Sequence, residues 1–186
     1  IRAHANRCRQ IVDNLLQFVR HNPVEKKPVN IQEVIQSVLL LLEYRLTKAD
    51  NIGVIFNPSK APFIEANPGQ LEQVMINVIG NACDALREAP VGKERLLDIA
   101  TTSDEEHVLV TIRDNGPGIK PQDRDKILEP FFTTKSVGQG TGMGLAIASQ
   151  ILRDHSGTIV FDNHPKGGAV FTITLPVAKG ACPQAA

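Results

Sequence analysis

Two glycine clusters, each set against a run of clear periodicity, limit what this chain can fold into more than any other feature. Asp114-Asn115-Gly116-Pro117-Gly118 follows a run in which Val108, Val110 and Ile112 take every second position, the period of a strand with one buried face. Gly138-Gln139-Gly140-Thr141-Gly142-Met143-Gly144-Leu145 leads into a helical stretch, Leu145 to Asp154. Alternate glycines let a backbone pass close to a bulky anion, because no Cβ blocks the approach. Successive free N–H groups cup a phosphate, and a helix start favours negative charge. Read together, the clusters predict one nucleotide site between a strand end and a helix start.

The rest of the chain supplies elements to carry such a site. Asn30 is placed to cap a helix from Ile31 to about Asp50, with Val34, Ile35, Val38, Leu39, Leu42 and Leu46 on one face. Strands are expected at Gly53–Asn57, Phe63–Ala66, Leu96–Thr102 and His107–Arg113, and a helix from Pro68 to about Glu88. Pro121–Leu128 reads as a short helix and Phe131–Gln139 as a loop. Thr158–Asp162 and Ala169–Leu175 read as a hairpin joined through His164-Pro165-Lys166-Gly167-Gly168. This order predicts an α+β sandwich: a mixed, mainly antiparallel sheet covered on one face by helices.

The first segment is different. Ile1, Ala5, Cys8, Val12, Leu15 and Val19 form a heptad seam, which either packs on the following domain or joins a helical bundle. The expected boundaries are a partial bundle helix over 1–22, a linker over 23–29, the main domain over 30–177 and a flexible tail over 178–186. The chain begins with Ile rather than Met, so it is expected to be a piece of a longer one. Twenty acidic residues balance twenty basic ones, which points to neither nucleic acid nor a membrane surface as a partner. Three scattered cysteines fit a reducing compartment.

Several residues carry chemistry. Asn77, Asn81 and Asp84 share one stripe of the Pro68–Glu88 helix. Such a stripe is either a solvated face or a set of hard oxygen ligands for Mg²⁺ beside substrate phosphates. Asp114 is either a turn residue or a buried carboxylate accepting from an exocyclic amine such as that of adenine. Lys135 is either an exposed loop residue or a point charge for terminal phosphates. Phe131 and Phe132 are expected to anchor the loop to the core. His155 reads as a helix-end residue with a favourable dipole interaction when charged. Cys83 reads as a buried filler.

In order, Asn77 to Ala85, Asp114 to Gly118, Glu129-Pro-Phe-Phe-Thr-Thr-Lys135 and Gly140 to Leu145 resemble the four boxes of the ATP-binding catalytic domain of sensor histidine kinases, most like the nitrogen-regulation type. The resemblance covers about residues 30 to 176, and Arg7 to Phe18 is similar to the second helix of that family's dimerisation bundle. It implies the Bergerat sandwich of the GHKL superfamily, preceded by that helix, and the cofactors ATP and Mg²⁺. Asn81 would ligate Mg²⁺, and Asp114 would bind the adenine amine. Gly116 and Gly118 would shape the purine pocket. Asn77, with Lys135, would take a catalytic part, and Asn77 and Asp84 would belong to the nucleotide-binding set. Lys135, Gly140, Thr141, Gly142, Met143, Gly144 and Leu145 would form the lid and hold them.

The implied partners are a second copy, through the bundle, and a response-regulator receiver domain; the implied location is cytoplasmic, in a parent that is membrane-anchored or not. Hydrolytic relatives carry Glu where Asn77 stands, and an amide cannot take a proton from water as a carboxylate does. This favours γ-phosphoryl transfer to a histidine over an ATPase switch or a non-catalytic binding module. The family's acceptor motif is absent around His4 and His21, which places the acceptor upstream of Ile1. Relatives often carry Thr where Ala169 follows Gly167-Gly168, so that contact is expected to come from elsewhere.

Overall fold

A computed structural model describes residues 25–89, 92, 94–136 and 140–178. The bundle helix expected over 1–22, Gly138 and Gln139, and all but the first residue of the expected tail lie outside the described residues.

Among the described residues, seven strands and three α-helices follow one another: β1 (Lys27–Val29), α1 (Ile31–Leu41), β2 (Ile52–Asn57), β3 (Ile64–Ala66), α2 (Pro68–Arg87), β4 (Arg95–Ser103), β5 (His107–Asp114), α3 (Gly144–Asp154), β6 (Thr158–Asn163) and β7 (Ala169–Pro176). The main sheet has the order β2-β4-β5-β7-β6. Only β2, paired with β4, runs parallel; the other three pairings are antiparallel. The expected mixed, mainly antiparallel sheet is therefore present.

Side-chain alternation explains which face the helices cover. Leu97 and Ile99 on β4, Val108, Val110 and Ile112 on β5, and Phe171, Ile173 and Leu175 on β7 are all buried. They pack with Leu71, Val74, Met75, Val78 and Ile79 of α2 and with Ala148 and Leu152 of α3 in one core. The period of two continues to the last residue of β5, so Asp114 also points into the covered face, where it is 2% exposed. A carboxylate reaches the helix layer because the strand does not end one residue sooner.

Three expectations change. Lys27–Val29, read as linker, pairs antiparallel with Ile64–Ala66; its Pro28 is tolerated because this two-stranded ribbon has no interior strand. The helix expected to run unbroken to Asp50 ends its regular part at Leu41, and Arg45–Ala49 forms a π-helical turn. There the Asp50 N–H reaches back five residues to the Arg45 carbonyl at 2.9 Å. Thr47 Oγ1 also donates to the Glu43 carbonyl at 2.8 Å, a back-bond that bends helices. The short helix at Pro121 is a 3₁₀ turn, Pro121–Lys126.

His155 overturns its expected role as a charged helix end. It is 3% exposed. Its Nδ1 lies 2.8 Å from the Ile151 carbonyl and its Nε2 accepts from the Asn67 N–H at 3.1 Å. Those partners require a neutral ring with the proton on Nδ1. Burial holds its pKa below the ordinary 6.5. The folded chain thus binds this proton less readily than the unfolded chain. The stabilisation is present above pH 6.5 and is lost as pH falls through 6.5 toward the depressed folded value. Urea midpoints measured from pH 7.5 down to 5 are expected to fall. In His155→Gln, which has no titrating ring, that part of the slope disappears; an unchanged slope refutes the assignment.

Candidate nucleotide site

The site lies where the ends of β5 and β7 meet the middle of α2 and the start of α3. A cavity of about 610 Å³ opens there, bordered by Asn77, Asn81, Asp84, Asp114, Gly118 and Lys135, and by Gly140, Thr141, Gly142, Gly144 and Leu145. Eleven of the thirteen residues singled out from the sequence thus line one space. Gly116 and Met143 are not among its lining residues. The Gly116 N–H acts through Asp114, and Met143 is 0% exposed, anchoring the glycine loop in the core.

Asp114 is the fixed point of the pocket. Its Oδ1 accepts from the Gly116 N–H at 2.8 Å and from the Ala169 N–H at 3.2 Å. Burial pushes its carboxyl above the ordinary range, and the two backbone donors only partly offset that. Ala169 serves this hold through its main-chain N–H, not through its side chain. The preceding Gly168 has φ +88°, and a Cβ there would meet the Asp114 carbonyl oxygen at 1.9 Å.

Sequence reasoning missed a second clamp. Asn163 Oδ1 accepts from the Ile119 N–H and its Nδ2 donates to the Ile119 carbonyl, both at 2.7 Å. The first glycine loop is thereby tied to the end of β6. A lone Asn at a strand end gives no sequence signal for this.

The opposite wall is charged. Lys135 Nζ donates to Asn81 Oδ1 at 3.2 Å and ion-pairs with Asp84. Asp84 also pairs with Arg45, from the π-helical turn, and lies 3.8 Å from Arg87. Behind it, Asp50 pairs with Arg45 at 3.2 Å and Arg87 at 2.5 Å. Burial alone would raise the Asp50 carboxyl, but the two arginines outweigh it and hold it below the usual range. Arg45 was not foreseen, because a π turn leaves no periodic trace in the sequence. Cys83 is buried as expected, and burial pushes its thiol up to about 11.

The loop aromatics differ from expectation. Phe131 is 57% exposed with φ 69°, and Phe132 lines the cavity rather than the core. Gly142, at φ +67°, lies so close that a Cβ would meet the Phe131 carbonyl carbon at 2.4 Å. The two loops therefore pack backbone to backbone, which turns the Phe131 ring outward.

The donor set fits a metal–nucleotide ligand. Asn81 Oδ1 already holds a cation, the Lys135 ammonium. Asn77 Oδ1 accepts from Gln73 at 3.1 Å, while its buried Nδ2 has no partner among the described residues. A buried amide N–H without an acceptor is costly, and an anionic ligand in this cavity would supply one.

Residues 66–179 match the family described as histidine kinase-, DNA gyrase B-, and HSP90-like ATPase. The chain is 35% identical over 176 residues to sporulation kinase A of Bacillus subtilis, covering 92% of this chain and 27% of that protein. It is 31% identical over 187 residues to the sensory histidine kinase/phosphatase NtrB of Rhizobium leguminosarum, covering 95% and 48%. The chain thus spans less than half of these curated relatives. Among solved structures, the catalytic domain of histidine kinase ThkA superposes with a TM-score of 0.72 at 33% identity, over 82% of this chain and 96% of that one. Full-length ShkA in complex with AMPPNP gives 0.78 at 26% identity, over 93% and 36%. ThkA in complex with the response regulator TrrA gives 0.76 at 28%, over 94% and 48%.

Proposed function

We propose that this chain, which belongs to the histidine kinase-, DNA gyrase B-, and HSP90-like ATPase family, is the ATP-binding catalytic part of a two-component sensor kinase and transfers the γ-phosphoryl group of Mg·ATP to a histidine. The observation that carries this reading is the buried Asp114 carboxylate, pinned by two backbone N–H groups across the cavity from Asn81 and Lys135. One end of the pocket recognises an amine donor; the other handles charge.

In this reading Asp114 accepts from the adenine amine, and Asn81 Oδ1, which now accepts from Lys135, would be the oxygen that holds Mg²⁺. Mg²⁺ neutralises charge on the phosphates when bound. Lys135 and the backbone from Gly140 to Leu145 orient the terminal phosphates beneath the loop. The α3 N-terminus, at Gly144, favours their charge. Catalysis rests on position and electrostatics. Asn77 has no basic oxygen with which to activate water, so the chain favours transfer over hydrolysis. The partners are a second copy, through the segment that carries the Ile1-to-Val19 heptad seam, and a receiver domain that takes the phosphoryl group onward. No helix among the described residues is long and apolar enough to cross a membrane.

Radiolabelled ATP and Mg²⁺, mixed with this chain and a separate acceptor helix pair carrying the phosphoacceptor histidine, are expected to leave an acid-labile, base-stable histidine label. Phosphate release by the chain alone is expected to stay slow. Absence of label with brisk phosphate release would replace the kinase reading with an ATPase switch.

A further inference from the structure

The π-helical turn gives the site a residue that neither the motifs nor the comparisons assign. Arg45 lies at the start of that turn and borders the cavity. Its guanidinium spans two carboxylates, Asp50 at 3.2 Å through Nε and Asp84 through Nη2. Gly80 of α2 lies beside it: a Cβ there would make ordinary contact with Nη1 at 3.8 Å. π-helical turns recur at functional sites because they re-aim a side chain at the cost of a regular hydrogen bond.

The charges around Asp84 show what the fork does. Asp84 faces Arg45 and Lys135 directly and Arg87 at 3.8 Å. Asp50 keeps Arg45 and Arg87, and its carbonyl accepts from Arg95 at 2.7 Å. When Lys135 departs, neither carboxylate is stranded, because Arg45 stays on both. A half-buried carboxylate such as Asp84, left without its cation, would make that separation costly. Arg45 thus lets the cluster release Lys135 without leaving Asp84 unpaired.

We infer that Arg45 is a positioning residue of the nucleotide site: by holding Asp84, it frees Lys135 to pass from Asp84 and Asn81 to the phosphates of the bound nucleotide. This rests on the nucleotide reading of the pocket. Without Arg45, Lys135 is the nearest counter-ion of Asp84 and stays on it, and Asn81 Oδ1 stays blocked.

Calorimetric titration of the whole chain with Mg·AMPPNP tests this. Arg45→Gln is expected to weaken binding roughly tenfold, the worth of one charge-assisted phosphate contact. Lys135→Ala is expected to cost about the same, and the Arg45→Gln/Lys135→Ala pair no more than either alone. Costs that add would mean that Arg45 acts independently of Lys135, and would overturn the inference. Arg45→Gln/Asp84→Asn is expected to recover to within about threefold of the parent chain, since no carboxylate then retains Lys135; a purely structural arginine would give no recovery. If Arg45→Gln does not fold, Asp84→Asn alone decides: tighter binding supports the inference, and unchanged or weaker binding defeats it. If the parent chain itself fails to bind Mg·AMPPNP, the pocket reading fails first; if it binds but the cycle is additive, only the role of Arg45 fails.

Discussion

Asp114→Asn is expected to lower ATP affinity roughly 100-fold while leaving the fold intact, the scale of a charge-assisted hydrogen bond turned into donor facing donor. The substitution is close to isosteric. Its amide oxygen can still accept from the Gly116 and Ala169 N–H groups, which both use Oδ1. The other carboxylate oxygen becomes an NH₂ group, which opposes the adenine amine and suits the carbonyl of a 6-oxopurine. Relative affinity for GTP over ATP should therefore rise. Calorimetry with both nucleotides, alongside a thermal melt, separates this outcome from unfolding. Unchanged ATP affinity would remove Asp114 from base recognition and leave it a structural carboxylate.

Gly168→Ala is expected to be the more damaging change, costing about 3 kcal/mol or more and abolishing measurable nucleotide binding. The backbone there has φ +88°, a region L side chains rarely adopt, and the added Cβ would meet the Asp114 carbonyl oxygen at 1.9 Å. Neither neighbour can yield cheaply. Asp114 ends a central strand, and Ala169 begins the strand beside it, where Arg113 is paired with Val170. Relief of the clash would part the two strand ends and pull the Ala169 N–H from the carboxylate. Gly167→Ala is the informative control. Its φ is +94° but nothing lies within 4 Å of the new Cβ, so it carries the backbone strain without the collision. Chemical denaturation of the two variants should place Gly168→Ala well below Gly167→Ala; equal midpoints would mean that the close approach to Asp114 does not matter.

Much of this was legible in the sequence, and the limits have physical causes. Strand alternation located β5 as far as Arg113 and left Asp114 open between a turn residue and a buried carboxylate; one further residue of strand puts it on the covered face. The polar stripe on α2 located Asn77, Asn81 and Asp84, because helix geometry makes such residues neighbours. What stayed hidden were pairings between residues distant in sequence. Lys27–Val29 gains its strand from Ile64–Ala66 rather than from its own propensity. His155 looked like a solvent-facing helix end until Asn67 and Ile151 were seen to enclose it. Arg45 belongs to a turn whose hydrogen bonds span five residues, a period that hydrophobic spacing does not record. The chain's glycine and asparagine chemistry was local, and its ion pairs and buried imidazole were not.

The His155 bridge has a consequence for motion. Asn67 caps α2 and His155 closes α3, so the ring joins the start of one helix to the end of the other. At the far end Gly144 rests against Asn77, where a Cβ would lie 3.5 Å from Oδ1. α3 is thus tied to α2 at both of its own ends, once at the α2 cap and once at the α2 middle, and the pair is expected to open as one cooperative unit in local unfolding. On the nucleotide reading, an opening that admits or releases the ligand is therefore expected in the loop that carries Lys135 rather than in the frame that bears Asn81 and Asp114.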